Sequence, residues 1–262
     1  MQFARAEAAG ITAWIAPAAA MILIAVAQGA SAQGALPGGF VYLRDVEPSI
    51  AQDIRYAGSD NFVGRPLPGY EAGECILRQE VAAALQRVQA SLRAGGLSLK
   101  VYDCYRPMRA VRAMVQWVND GRAEAPTKRF FPKLPKSSLL NLGYIASRSK
   151  HSTGNTIDLT LIKADAAPAA PFNPAAAYGP CTGPVARRSP DNSVDMGTSF
   201  DCFDSATHTA SSAVTGEQRR WRNTLVEAMR KQGFANYDRE WWHFSYARSG
   251  RPGAYDFPIR PR

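Results

Sequence analysis

Apolar positions recur along this chain with two periods. Over residues 79–93, Val81, Leu85, Val88 and Leu92 return every three or four places, which is one face of a helix, and Gly95-Gly96 stops it. Leu97, Leu99 and Val101 then alternate with polar neighbours, as a half-buried strand does. Pro107 suits the first turn of a second helix, which Ala110, Val111, Met114, Val115 and Val118 continue. Residues 156–162 alternate again. Ile157, Leu159 and Leu161 take one face and Thr156, Asp158 and Thr160 the other, so Asp158 projects from the polar side of a greasy strand. A third helix is predicted over 216–232, with Trp221, Leu225, Ala228 and Met229 inward, and a last strand over 241–246. The Gly/Pro-rich stretch 61–74, the basic, Pro-broken 121–136 and the Ala/Pro-rich 164–192 read as loops. Helices and short strands mix without a βαβ rhythm, so the pattern predicts a single α+β domain.

The first 32 residues lie outside that pattern. Arg5, a mainly apolar run over 11–27 and the small-residue end Ala30-Ser31-Ala32 form a secretory signal pattern, with a retained membrane anchor as the rival reading. The roughly 230 residues from 33 to 262 suffice for one large domain with a substantial core, and they hold no second apolar run of spanning length. The net charge of +9 survives cleavage, because Arg5 and Glu7 cancel. A basic exported protein suits acidic substrates or an anionic cell-wall polymer. Nucleic acid is not an expected partner, since export removes it and no aromatic–basic recognition motif is present. Four cysteines, Cys75, Cys104, Cys181 and Cys202, imply two disulfides in an oxidising, periplasmic or extracellular compartment. Of the three connectivities, Cys75–Cys104 with Cys181–Cys202 closes the two local loops.

The chemistry concentrates in two places. Residues 149–158 hold His151 and Asp158 with Gly154 between them, and Glu240-Trp241-Trp242-His243 adds a second imidazole and a second carboxylate. The chain has only three histidines, and His208, in a Ser/Thr-rich segment, stands apart from both. A catalytic zinc takes three protein ligands and leaves a position for water. His151, Asp158 and His243 supply such a set, with Glu240 as general base. In a regular strand Glu240 and His243 point to opposite faces, so Glu240 is expected just ahead of the strand. The rival assignment makes Glu240 the third ligand and Asp158 the partner that orients a histidine. Histidines that merely satisfy hydrogen bonds in a core are the plainer alternative. Arg106, at a strand-to-helix junction, is either a surface arginine or a side chain aimed into the site.

With these residues in view, the chain resembles the zinc D-alanyl-D-alanine dipeptidases related to vancomycin resistance. The resemblance rests on Y-R-P at 105–107, S-x-H-x-x-G-x-x-x-D at 149–158, D-M-G-T-x-F-D at 195–201 and E-W-W-H at 240–243, in that order. It implies the fold these enzymes share with D,D-carboxypeptidases and the Hedgehog signalling domain, an antiparallel sheet carrying one zinc with helices on its outer side. It implies His151, Asp158 and His243 as ligands, Glu240 as base and Arg106 as stabiliser of the oxyanion. It further implies Asp201 as acceptor of the substrate's ammonium and Ser149 as a partner of its carboxylate. The expected reaction is hydrolysis of the free dipeptide D-Ala-D-Ala. A zinc D,D-carboxypeptidase acting on peptidoglycan stems and a non-catalytic wall-binding module are the competing functions.

Overall fold

Five strands form the sheet that organises the protein, in the order β2-β4-β5-β7-β6. In chain order the elements are β1 (Phe40–Tyr42), α1 (Leu43–Val46), β2 (Ala51–Gln52), β3 (Ile76–Arg78), α2 (Gln79–Arg93), β4 (Leu97–Asp103), α3 (Met108–Val118), β5 (Thr156–Lys163), α4 (Gly216–Lys231), β6 (Phe234–Asn236) and β7 (His243–Tyr246). The computed structural model describes residues 1–4, 36–122, 126–248, 250 and 253–262. The signal pattern and its Ala30-Ser31-Ala32 end fall within 5–35, outside the described residues. Among the described residues no helix is long and apolar enough to cross a membrane.

The long elements follow the periodicity. The apolar face of β4 and β5, made by Leu99, Val101, Ile157, Leu159 and Leu161, packs on α2 and α4 through Val81, Leu85, Val88, Leu225 and Met229, all buried. Each such side chain taken from water contributes about 1.5–3 kcal/mol. A capping box between Thr215 and Gln218 starts α4.

Two features differ from the sequence expectation. The sheet is mixed, not antiparallel: β4-β5-β7-β6 pair antiparallel, but the two-residue β2 adds parallel to β4 at the edge. Residues 40–56 divide between two sheets, β1 pairing with β3 in a separate two-stranded sheet while β2 joins the main one. The polar face of β5 is buried as well, Thr156, Asp158 and Thr160 included.

At the Thr160 end that cover comes from the chain leaving the Ala/Pro-rich excursion, which returns to the sheet. β7 pairs with β5 only over Thr156–Asp158, and Ser193 and Val194 take up the ladder beyond it at Ile162 and Leu161. Asp191 accepts from Lys100 Nζ (2.6 Å) and the Tyr102 hydroxyl (2.7 Å), and Phe200 stacks on Tyr102. The buried Arg55 is shared among Asp53, Asp60 and Asp191. Buried charges persist only when paired in this way.

Disulfides join Cys75 to Cys104 and Cys181 to Cys202, as the loop argument favoured. They fit a protein exported to an oxidising compartment. Cys104 follows the end of β4, two residues before Arg106. Residues 253–259 brace the same region: Tyr255 N donates to Ser152 O, Met108 N donates to Tyr255 O, and Phe257 stacks on Tyr105.

Candidate metal centre

The first imidazole is placed by a 3-10 turn, Lys150–Thr153, just before β5. Ser149 caps it by accepting from His151 N at 3.2 Å, and Gly154 reverses the chain at φ 79°. A Cβ on Gly154 would run into the Phe40 ring, which Tyr105, Tyr255 and Phe257 wedge in place. Gly154→Ala is therefore expected to cost about 1–3 kcal/mol in a denaturant titration, from left-handed strain plus the clash.

The other ligand candidates come from the sheet. Asp158 on β5 lies directly opposite His243 on β7 and Asp103 on β4. Cross-strand partners share a face, so all three side chains meet on the polar side. β4 reaches this register through an irregularity: Val101 pairs with Leu159, Tyr102 is skipped and Asp103 pairs with Asp158. A bulge of this kind lets Tyr102 and Asp103 serve the same face in succession.

His151 Nδ1 lies 2.8 Å from the Cys104 carbonyl oxygen. A carbonyl only accepts, so Nδ1 carries the proton and Nε2 is left with its lone pair. That Nε2 is 3.3 Å from Asp158 Oδ1 and 3.3 Å from His243 Nδ1, and Asp158 Oδ1 is 3.0 Å from His243 Nδ1. Zinc bonded at about 2.0–2.1 Å in a tetrahedron sets its ligand atoms roughly 3.3 Å apart. The three atoms fit that figure. Asp158 Oδ1 is moreover buried without a hydrogen bond, an expensive state that a cation relieves. Burial alone would raise the Asp158 carboxyl, but the adjoining imidazoles hold it below the usual range. Among the described residues His151, Asp158 and His243 are the group able to hold a metal.

Glu240 sits in the turn ahead of β7, where alternation does not apply; its carbonyl accepts from His243 N at 3.2 Å. The carboxylate comes within 3.5 Å of His243 Nδ1 and is 18 % exposed. Burial pushes its pKa up to about 7, with His243 and Arg106 opposing and Asp158 adding.

Arg106 points inward, 12 % exposed, with its guanidinium over the Tyr56 ring and 3.6 Å from Asp158 Oδ2. Asp103 holds it, accepting from Arg106 Nε at 2.9 Å and from the Tyr70 hydroxyl at 2.6 Å, and lying 3.4 Å from His151 Nδ1. The sequence reading missed Asp103. Its signal was a carboxylate ending a greasy strand three residues before Arg106.

Asp201 is the one non-glycine residue with positive φ (57°) among those described. It accepts from the Tyr56 hydroxyl at 2.7 Å, and burial together with Asp158 pushes its carboxyl well above the ordinary range. Tyr56 was also missed, having no motif around it. Arg106, Ser149, His151, Asp158, Asp201, Glu240 and His243 all line one cavity of about 360 Å³. His208 lies outside it, half-buried in an adjoining hollow.

The sequence profile described as D-ala-D-ala dipeptidase matches residues 37–171 and 179–259. Among curated relatives, a D-alanyl-D-alanine dipeptidase of Enterococcus faecium is 30% identical over 223 residues, 85% of this chain and 98% of its own. The Streptomyces coelicolor D-alanyl-D-alanine dipeptidase is 33% identical over 86% of this chain and 100% of its own. The enzyme so named in Escherichia coli is 26% identical over 84% and 88%. With a match across nearly the whole described chain and a ligand cluster spaced for zinc, this protein belongs to the D-Ala-D-Ala dipeptidase family of zinc metallopeptidases.

Proposed function

We propose that the protein hydrolyses free D-alanyl-D-alanine to two D-alanines, with His151, Asp158 and His243 holding one zinc, Glu240 as general base and Arg106 as oxyanion partner. The strongest support is the cluster itself: three ligand atoms 3.0–3.3 Å apart, with a raised-pKa carboxylate 3.5 Å away. Zinc bound there supplies Lewis acidity and makes a water acidic enough to attack near neutral pH.

The chain's own groups do the rest. Glu240 takes the attacking water's proton and delivers it to the leaving nitrogen. Arg106, fixed by Asp103, places a permanent positive charge where the carbonyl oxygen becomes negative. Asp201 receives the dipeptide's ammonium beside the Tyr56 hydroxyl, and the cation favours the carboxylate form that burial and Asp158 disfavour. The Ser149 hydroxyl, at the cavity wall, donates to the substrate carboxylate. The mature enzyme starts near residue 33 after signal cleavage and works in the periplasm or outside the cell. Its +9 charge there favours association with an anionic wall polymer.

The test is D-alanine release from D-Ala-D-Ala and from its N-acetyl derivative, each with and without a chelator. Chelator-sensitive cleavage of the free dipeptide is expected. The acetylated form, which leaves Asp201 buried without its cation, should be cleaved at least about a hundredfold less efficiently. Equal cleavage of both would move the protein to the D,D-carboxypeptidases, and cleavage of neither would leave a wall-binding module.

A further inference from the structure

A second hollow, of about 460 Å³, adjoins the zinc cavity and shares Tyr144, Tyr237 and Glu240 with it as a common wall. Its far side carries Lys133, Arg239 and His208 at the rim, with the buried carboxylate of Asp204 beneath Lys133. Lys133 reaches Asp204 at 2.8 Å but is 70% exposed. The side chains of Arg239 and His208 make no hydrogen bond or ion pair among the described residues, and Arg239 is exposed. Asp201 and Arg106 line only the zinc cavity.

This arrangement fixes which end of a substrate faces the hollow. The base must hand its proton to the leaving nitrogen, so the leaving residue lies beside Glu240. The ammonium end lies at Asp201, which does not border the hollow. We infer that the hollow is the subsite for the side chain of the leaving residue, and that its basic rim selects dipeptides whose second residue is larger than alanine and acidic, D-Ala-D-Glu being the simplest. The inference rests on the dipeptidase reading and names a substrate class for it. The rim cations are solvent-exposed, so the selection is moderate and weakens with salt. Alanine's methyl group does not reach the rim, which leaves D-Ala-D-Ala turnover independent of it.

The experiment compares kcat/KM of the zinc-loaded protein for D-Ala-D-Ala, D-Ala-D-Glu and the neutral isostere D-Ala-D-Gln. Wild type should favour D-Glu over D-Gln by roughly threefold to tenfold at low salt. That ratio should fall to about one in Arg239→Met with Lys133→Met and invert in Arg239→Glu, while D-Ala-D-Ala is cleaved at the wild-type rate throughout. An unchanged ratio in the variants overturns the basic rim. Cleavage of D-Ala-D-Ala with neither larger dipeptide accepted overturns the subsite but leaves the dipeptidase reading intact. If the wild type cleaves none of the three, the dipeptidase reading fails and the subsite with it.

Discussion

Glu240→Gln is expected to take up zinc as the wild type does and to turn over D-Ala-D-Ala about 10²–10⁴-fold more slowly, the usual contribution of a positioned general base. The amide matches the carboxylate in shape and cannot accept the water's proton. Metal content is preserved because Glu240 Oε2 lies 3.5 Å from His243 Nδ1, outside the group of three whose atoms are 3.0–3.3 Å apart. The two readouts separate the rival assignments: a variant depleted of zinc would make Glu240 a ligand, and one within tenfold of wild-type kcat would remove it from the chemistry. The same residue sets a pH limb. Burial holds the carboxyl at about 7, and a divalent cation beside it lowers that value. Glu240 works as the carboxylate, so kcat should fall as pH drops through its pKa and level off above it. In Glu240→Gln that limb should disappear.

His151→Ala is the second large effect. It removes Nε2 from the cluster and leaves two candidate ligands. Losing even a residue that orients a ligand weakens metal sites by about 10–100-fold, and losing the ligand itself should exceed that range. Chelator competition should therefore show zinc affinity at least about a hundredfold weaker, with activity lost in parallel. The cavity left by the ring allows free imidazole to be added back, and partial recovery of binding is expected. Wild-type affinity in the variant would sink the assignment of His151.

How much of this was legible beforehand differs from one element to the next. α2, α3, α4, β4 and β5 were visible because each buries one long apolar face, and a repeated face leaves a periodic trace. β1, β2, β3 and β6, of two or three residues each, are too short to show a period and exist through their partners. The parallel edge pairing of β2 is likewise a tertiary fact. At the site, His151, Asp158, Glu240 and His243 stood out because imidazoles are scarce in this chain and two lie near carboxylates. Spacing alone left open whether Asp158 or Glu240 is the ligand. In the structure Asp158 groups with both imidazoles, at 3.0 and 3.3 Å from their nitrogens, while Glu240 lies 3.5 Å from one, which supports Asp158 as the ligand. Tyr56 and Tyr70 escaped notice because their partners Asp201 and Asp103 lie 145 and 33 residues away in sequence, whereas Asp103 stood three residues before Arg106 with no motif to single it out. Burial of the polar face of β5 was hidden for a similar reason, since its cover returns from an excursion with almost no regular structure.

The pairing of Asp158 with His243 across β5 and β7 has a bearing on folding as well as on chemistry. A slip of one residue between these strands would send the two side chains to opposite faces, and no single ion could then touch both. With the proposed ligands, zinc would discriminate among pairings of the sheet and proofread the alignment of a strand only four residues long. An ion that binds only the correctly aligned sheet would stabilise that state against all others, by about 2.7 kcal/mol at a hundredfold excess over its dissociation constant. The metal would then be a folding ligand as well as a reagent.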